Sequence, residues 1–145
     1  MDAKTIQKYK NKSVTQLLKI ATTHFNKYIR YRDTDANGFG RCISSGQPLQ
    51  VPSKKAQAGH FYSGGKFPEL KFNEDNVHLQ GLSDNYFNGA NLLQYRKNLI
   101  KKIGLQRVEE LDRIADMSKR SRFKWDRFYL IEVIEKYKGK WKEAA

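Results

Sequence analysis

The chain has 145 residues, enough for one ordinary domain and too few for two. Its 28 Lys and Arg against 15 Asp and Glu give a formal net charge of +13, a field that attracts polyanions and makes nucleic acid the expected partner. A mean hydropathy of −0.79 with no apolar run near the roughly 20 residues a bilayer needs argues against a membrane span, and the single cysteine, Cys42, excludes an intrachain disulfide and a four-cysteine zinc site.

In chain order, residues 1–12 are Lys-rich and aperiodic and are expected to be a basic flexible arm. Ser13, with Gln16 three residues on, has the form of a capping box. Val14, Leu17, Leu18, Ala21, Phe25, Tyr28 and Ile29 then recur at helical spacing, which predicts a helix ending before Asp33-Thr34-Asp35-Ala36-Asn37-Gly38. From Gly40 to Asn73 the periodicity is lost, with short strands expected near Gln57–Tyr62 and Leu70–Phe72 around a Gly64-Gly65 loop. Helical spacing returns over Asn85–Ile103, with Leu92, Leu93, Tyr95, Leu99 and Ile100 apolar and Gly104 placed to stop it. A further helix covers Val108, Leu111, Ile114 and Ala115. A last one starts at the N-cap Asp126 and buries Leu130, Ile131, Ile134, Tyr137 and Trp141. The organisation expected is a single compact domain: arm 1–12, helix plus core 13–104, helical extension 105–145.

Charge is unevenly distributed, with basic residues dominating 1–60 and the C-terminal third, and acids balancing bases between 61 and 100. In that balanced centre lie Ala58-Gly59-His60-Phe61-Tyr62, Asn76-Val77-His78 and Asp84-Asn85. A His ending a strand, an Asn after a loop and an Asn opening a helix is the layout of a ββα-metal site. Phosphodiester hydrolysis needs a base to activate water and a cation to stabilise charge on phosphate. A neutral imidazole suits the first task, a loop Asn can fix strand geometry through backbone bonds, and a ligand at the helix start can hold the ion. His and Asn are common in loops, so this spacing alone is a weak signal.

Several stretches in order and spacing make it specific. Phe25-Asn26-Lys27-Tyr28-Ile29-Arg30-Tyr31-Arg32-Asp33, Cys42-Ile43-Ser44-Ser45-Gly46, Ala58-Gly59-His60-Phe61, Leu70-Lys71-Phe72, Asn76-Val77-His78, Asn85, Tyr95-Arg96, Ile103-Gly104 and Val108-Glu109-Glu110-Leu111 together resemble the NinG (Rap) family of lambdoid phages, over roughly residues 20 to 115. The resemblance implies an α+β fold with a small ββα-metal (HNH-like) core, flanked by an N-terminal helix and C-terminal helices. It implies a phage recombination endonuclease dependent on Mg (or Mn), acting on branched DNA such as D-loops and Holliday junctions in the host cytoplasm. By position, His60 matches the general base, Asn76 the middle Asn of the motif and Asn85 the metal-binding residue.

Two departures accompany it. The family carries two Cys-x-x-Cys knuckles that bind structural zinc. Here they read Cys42-Ile43-Ser44-Ser45 and Gly81-Leu82-Ser83-Asp84, so no structural zinc is expected and Cys42 is read as a small buried or idle residue. Many HNH enzymes also place Asp or His directly before the base, where this chain has Gly59. Asp75 and Asp84 are candidates for a further metal ligand and equally for surface charges, the surface reading being preferred for Asp75. His78 either supports the site or fills the core. Arg30, Arg32, Lys54, Lys55, Lys71 and Arg96 are expected to contact the DNA backbone.

The alternative is a catalytically inactive DNA-binding relative. A weaker third reading is an RNA-associated protein, suggested by the basic and aromatic run Lys119-Arg120-Ser121-Arg122-Phe123-Lys124-Trp125, which reads equally as a solvated loop anchored to the core by Phe123 and Trp125. A symmetric junction would suit a homodimer, although no stripe in the sequence separates an interface from the core.

Overall fold

Ser13 and Gln16 do form the capping box: the Ser13 hydroxyl accepts from the Gln16 N–H, and the Gln16 side chain accepts from the Ser13 N–H. They open a 19-residue helix, α2 (Val14–Arg32), that buries Leu17, Ala21, Phe25 and Ile29. Val14, at the edge of the predicted stripe, is exposed. The structure, a computed structural model, describes residues 1–86 and 91–144. It is an α+β fold in which two small antiparallel hairpins are enclosed by helices.

Before α2, where the sequence predicts a loose arm, a short helix α1 (Ala3–Lys8) forms, capped by Asp2. The correction has a tertiary cause. Tyr9 is buried in the core, and Arg127 bonds the Tyr9 and Lys12 carbonyls, so this end of the chain is tied down by contacts that no local pattern announces.

Two hairpins follow. Strands β1 (Phe39–Arg41) and β2 (Pro48–Gln50) pair with Gly40 opposite Leu49. Strands β3 (Ala56–His60) and β4 (Val77–Gly81) pair with Gly59 opposite His78 and His60 opposite Val77. The second strand of this hairpin is therefore Val77–Gly81, whereas Leu70–Phe72 was the expected position. Pro68 starts a 3-10 turn (Pro68–Leu70) whose Leu70 and neighbouring Phe72 are buried as loop anchors.

Helix α3 (Leu82–Tyr86) leaves β4 directly and packs against both β3 and β4. The predicted Asn85–Ile103 helix is instead split: α4 runs Leu92–Ile103 behind Asn91, whose φ of 47° is left-handed, and residues 87–90 lie outside the described residues. Of the apolar residues at that spacing, Tyr95 and Leu99 are buried and Ile100 packs against the core, while Leu92 and Leu93 are 46% and 69% exposed. Gly104, at φ 93°, ends α4 and admits α5 (Leu105–Ser118). Asp126 caps α6 (Arg127–Tyr137) as predicted, and Trp141 falls in a separate short α7 (Trp141–Ala144).

The β3–β4 hairpin lies between two apolar clusters. On one side α2 packs on α6, joining Phe25, Ile29, Leu130 and Ile134 to Val77, with Phe25 edge-on to Phe72 and Tyr137 at 5.4 and 4.9 Å. On the other, Tyr95 and Leu99 of α4 and Val108, Leu111 and Ala115 of α5 enclose Phe61, Phe67 and Leu70. Among the described residues no helix is long and apolar enough to cross a membrane.

Candidate active site

Asn76 immediately precedes β4 and is fully buried. Its amide donates to the carbonyls of Tyr62 (2.9 Å) and Leu70 (3.1 Å), and its oxygen accepts from the Tyr62 N–H (2.9 Å). One side chain thus fastens both limbs of the loop between β3 and β4. The loop so held puts the Lys71 carbonyl 3.0 Å from His60 Nε2. A carbonyl only accepts, so Nε2 carries the hydrogen and Nδ1 keeps the basic lone pair. Burial, helped by the Lys71 charge, pushes the half-buried imidazole below its usual pKa against the opposing pull of the Lys71 carbonyl. His60 is therefore neutral at pH 7, the state a general base requires.

His60 lines a cleft of about 660 Å³ together with Tyr62, Lys66, Leu92, Leu93 and Arg96. The Arg96 guanidinium forks onto Asp112 at 2.9 and 2.8 Å, and the Tyr62 hydroxyl donates to the same carboxylate at 2.5 Å. Burial and that carboxylate push the Tyr62 phenol up to about 12, so it stays protonated. Arg96 thus enters the cleft with its charge shared, while exposed Lys66 brings a whole one. Lys66 was not singled out from the sequence, although a lysine directly after Gly64-Gly65 in the loop following His60 was visible there.

Asp84 and Asn85 lie past the other end of the hairpin, where β4 passes into α3. Asp84 is buried: one oxygen accepts from the Cys42 thiol at 3.3 Å and the other from the Asn91 amide at 3.0 Å. Cys42 Sγ in turn accepts from the N–H groups of Gly81 (3.2 Å) and Ser45 (3.5 Å). Positions 42, 45, 81 and 84 line one open pocket of about 510 Å³ and are linked by these hydrogen bonds. Asn85 is half-buried on α3, and the cleft around His60 does not include it.

Among the described residues no group of three His, Cys, Asp or Glu could hold a metal ion. With both Asp84 oxygens engaged, the described side chains do not fit a resident Mg²⁺ or Mn²⁺. Nor is there space for a ligand directly before His60. A Cβ on Gly59 would lie 2.0 Å from Gln80 Oε1 and 2.8 Å from Gln80 Cβ, and Gln80 is fixed by donating to Ser44 Oγ at 2.8 Å.

His78 faces away from the cleft into a charged knot. Its Nε2 donates to the Asp75 carbonyl (2.8 Å), leaving the Nδ1 lone pair to accept from Lys102 Nζ (2.9 Å), with Arg32 Nη2 in contact at 3.1 Å. Burial and those two cations push its pKa down to about 3. Arg32, expected to contact DNA, is half-buried: its guanidinium donates to Asp33 (2.9 and 3.1 Å) and to the carbonyls of Glu74 and Val77 (both 2.8 Å), which engages four of its five N–H donors inside the fold. Burial favours neutral Asp33, but Arg32, Lys102 and the Leu79 N–H outweigh it and hold the carboxyl at about 2. Asp75 pairs at the surface with Arg107. Of the other basic candidates, Arg30 and Lys54 share a shallow depression, Lys55 is exposed, and half-buried Lys71 extends past the Phe72 ring.

A family model described as "Bacteriophage Lambda NinG protein" matches residues 1–145. Among curated proteins, the chain is 34% identical to Protein ninG of Escherichia phage lambda over 124 residues, covering 86% of this chain and 55% of that protein. It is 32% identical to Protein ninG of Escherichia phage 933W, and 31% identical to that of Salmonella phage P22. Both matches run over 142 residues, covering 98% of this chain and 65% and 64% of those proteins. The chain thus spans between about half and two thirds of the length of these relatives. No solved structure matches it. The residues that order the β3–β4 loop accordingly sit within a full-length family match, and the chain belongs to the NinG family of bacteriophage proteins.

Proposed function

We propose that this chain is a phage recombination endonuclease of the HNH type that hydrolyses phosphodiesters in branched DNA. The supporting observation is His60: a neutral imidazole, its tautomer set by the Lys71 carbonyl, at the wall of a cleft that also holds Lys66 and Arg96. Nδ1 takes the proton of the attacking water, Asn76 keeps the carbonyl that orients the ring in place, and Lys66 and Arg96 pair with the phosphate. Lys54, Lys55 and Arg30 contact the DNA backbone further out, without reading sequence. Mg²⁺ or Mn²⁺ would supply stabilisation of charge on the phosphate. No step is assigned to it, because the described donors do not form a site for it. A homodimer would suit a two-fold junction.

One observation favours a second reading. The capture of Asp84 by Cys42 and Asn91 fits a relative that grips branched DNA without cutting it. A labelled four-way junction incubated with wild type and with His60→Ala, each with Mg²⁺, Mn²⁺ or EDTA, separates the two. The nuclease reading expects metal-dependent nicking that falls about 10²- to 10⁴-fold in the variant with binding unchanged. Equal binding and no cleavage by either protein under any metal would leave the binding protein.

A further inference from the structure

Between α5 and α6 the chain crosses the surface without helix or strand, and this crossing carries Lys119-Arg120-Ser121-Arg122-Phe123-Lys124-Trp125. It is tethered at both ends. Ser121 donates to Glu69 at 2.5 Å, with Ser118 on the same carboxylate, while the Trp125 ring meets Phe72 edge-on at 5.6 Å and stacks on Tyr129 at an interplanar angle of 11°. Between the tethers, Arg122 and Lys124 point into solvent and Phe123 is 38% exposed, its ring edge-on to Trp125 at 4.7 Å. Tyr129, 41% exposed, continues the aromatic surface. Among the described residues the ion pair in this segment is Arg120 with Asp116, and no carboxylate pairs with Lys119, Arg122 or Lys124.

We infer that residues 119–125, with Tyr129, form a binding site for single-stranded DNA. Three unpaired cations beside exposed rings match a strand that offers phosphates and unstacked bases together, whereas a duplex offers only the phosphates. Anchoring serves a solvated loop as well; what sets this one apart is Phe123, left exposed between the tethers. Here they hold the rings in one place and lower the ordering cost of binding. The location adds a reason: both tethers end on the turn that carries Glu69 and Phe72, and Lys71 between them supplies the carbonyl that orients His60. A strand seated here therefore lies beside the loop of the proposed cleavage site. The inference rests on the reading of this chain as a DNA-binding protein and is independent of whether it cuts.

The test uses the full chain with fluorescein-labelled oligothymidylate of about twelve nucleotides and a blunt duplex of similar length, followed by anisotropy. Phe123→Ala is expected to weaken the single strand about tenfold and the duplex by less than about twofold, with Phe123→Tyr restoring the wild-type affinity. Arg122→Ala with Lys124→Ala should flatten the salt dependence for the single strand by about one unit of slope. Equal losses on both probes, or none on either, overturn the inference. Failure of Phe123→Tyr to recover binding overturns it too, since that variant keeps the ring and controls for folding. The junction assay keeps the two readings apart. A chain that binds oligothymidylate through Phe123 but cuts nothing refutes the nuclease alone, and a cutting chain indifferent to Phe123 refutes this site alone.

Discussion

At the loop end of the β3–β4 hairpin, side chains are held by backbone: Asn76 by the Tyr62 and Leu70 peptide groups, and His60 by the Lys71 carbonyl. At the exit end, side chains also hold each other, Cys42 on Asp84 and Asp84 on Asn91. Peptide groups fixed by pairing and burial move little, so the first arrangement sets a ring within a narrow range, as proton transfer requires. The second depends on the identities of the paired side chains. The contrast separates an end set by peptide groups from one in which side chains also set each other.

The sharpest break of this comparison is Asn76→Ala. It removes three hydrogen bonds at once, leaving the Tyr62 N–H and C=O without their Asn76 partner, and is expected to cost about 3 kcal/mol in urea unfolding, with loss of any cleavage. A cost below about 1 kcal/mol would show that the loop holds itself. Next in size is the effect of pH through His78. Its folded pKa of about 3 lies below the ordinary value near 6.5, so the unfolded chain takes up the proton first. The stability present above pH 6.5 is then lost as pH falls toward 3, by about 2 kcal/mol at pH 5. Asp33, held at about 2, adds a further loss as pH falls through its ordinary value of 3.8. Unfolding midpoints measured from pH 7 to 4.5 should flatten by about one proton in His78→Gln; an unchanged slope would remove His78 from the account. The smallest effect is expected at the exit end, where Cys42→Ser or Asp84→Asn should each cost about 1 kcal/mol and leave cleavage intact. A loss of cleavage there would mean that Asp84 acts in the chemistry after all.

Much of this was legible in the sequence, and the misses share a cause. The capping box of α2, the Asp126 cap and the Gly104 stop are local signals and were found as such. His60 and Asn76 were singled out by type, spacing and the family resemblance, and the loop between them ties the two together. Strand β4 was missed because His78 and Gln80 are polar yet buried, so its pattern does not identify a core strand, while Leu70-Lys71-Phe72 imitates one. Arg32 read as a surface cation because its carbonyl partners at Glu74 and Val77 lie more than forty residues away. The order of α1 and the exposure of Leu92 and Leu93 were likewise settled by distant packing, which a local periodicity does not contain.

Gln80 and Gly59 occupy a single volume, with the amide of one filling the space where the other lacks a Cβ. These two positions are therefore free to drift only as a pair. A relative with a bulkier residue at 59 is expected to carry glycine at 80 or a hairpin backbone shifted there, and a carboxylate ahead of the imidazole needs the same change, because the Cβ of residue 80 itself stands in the way.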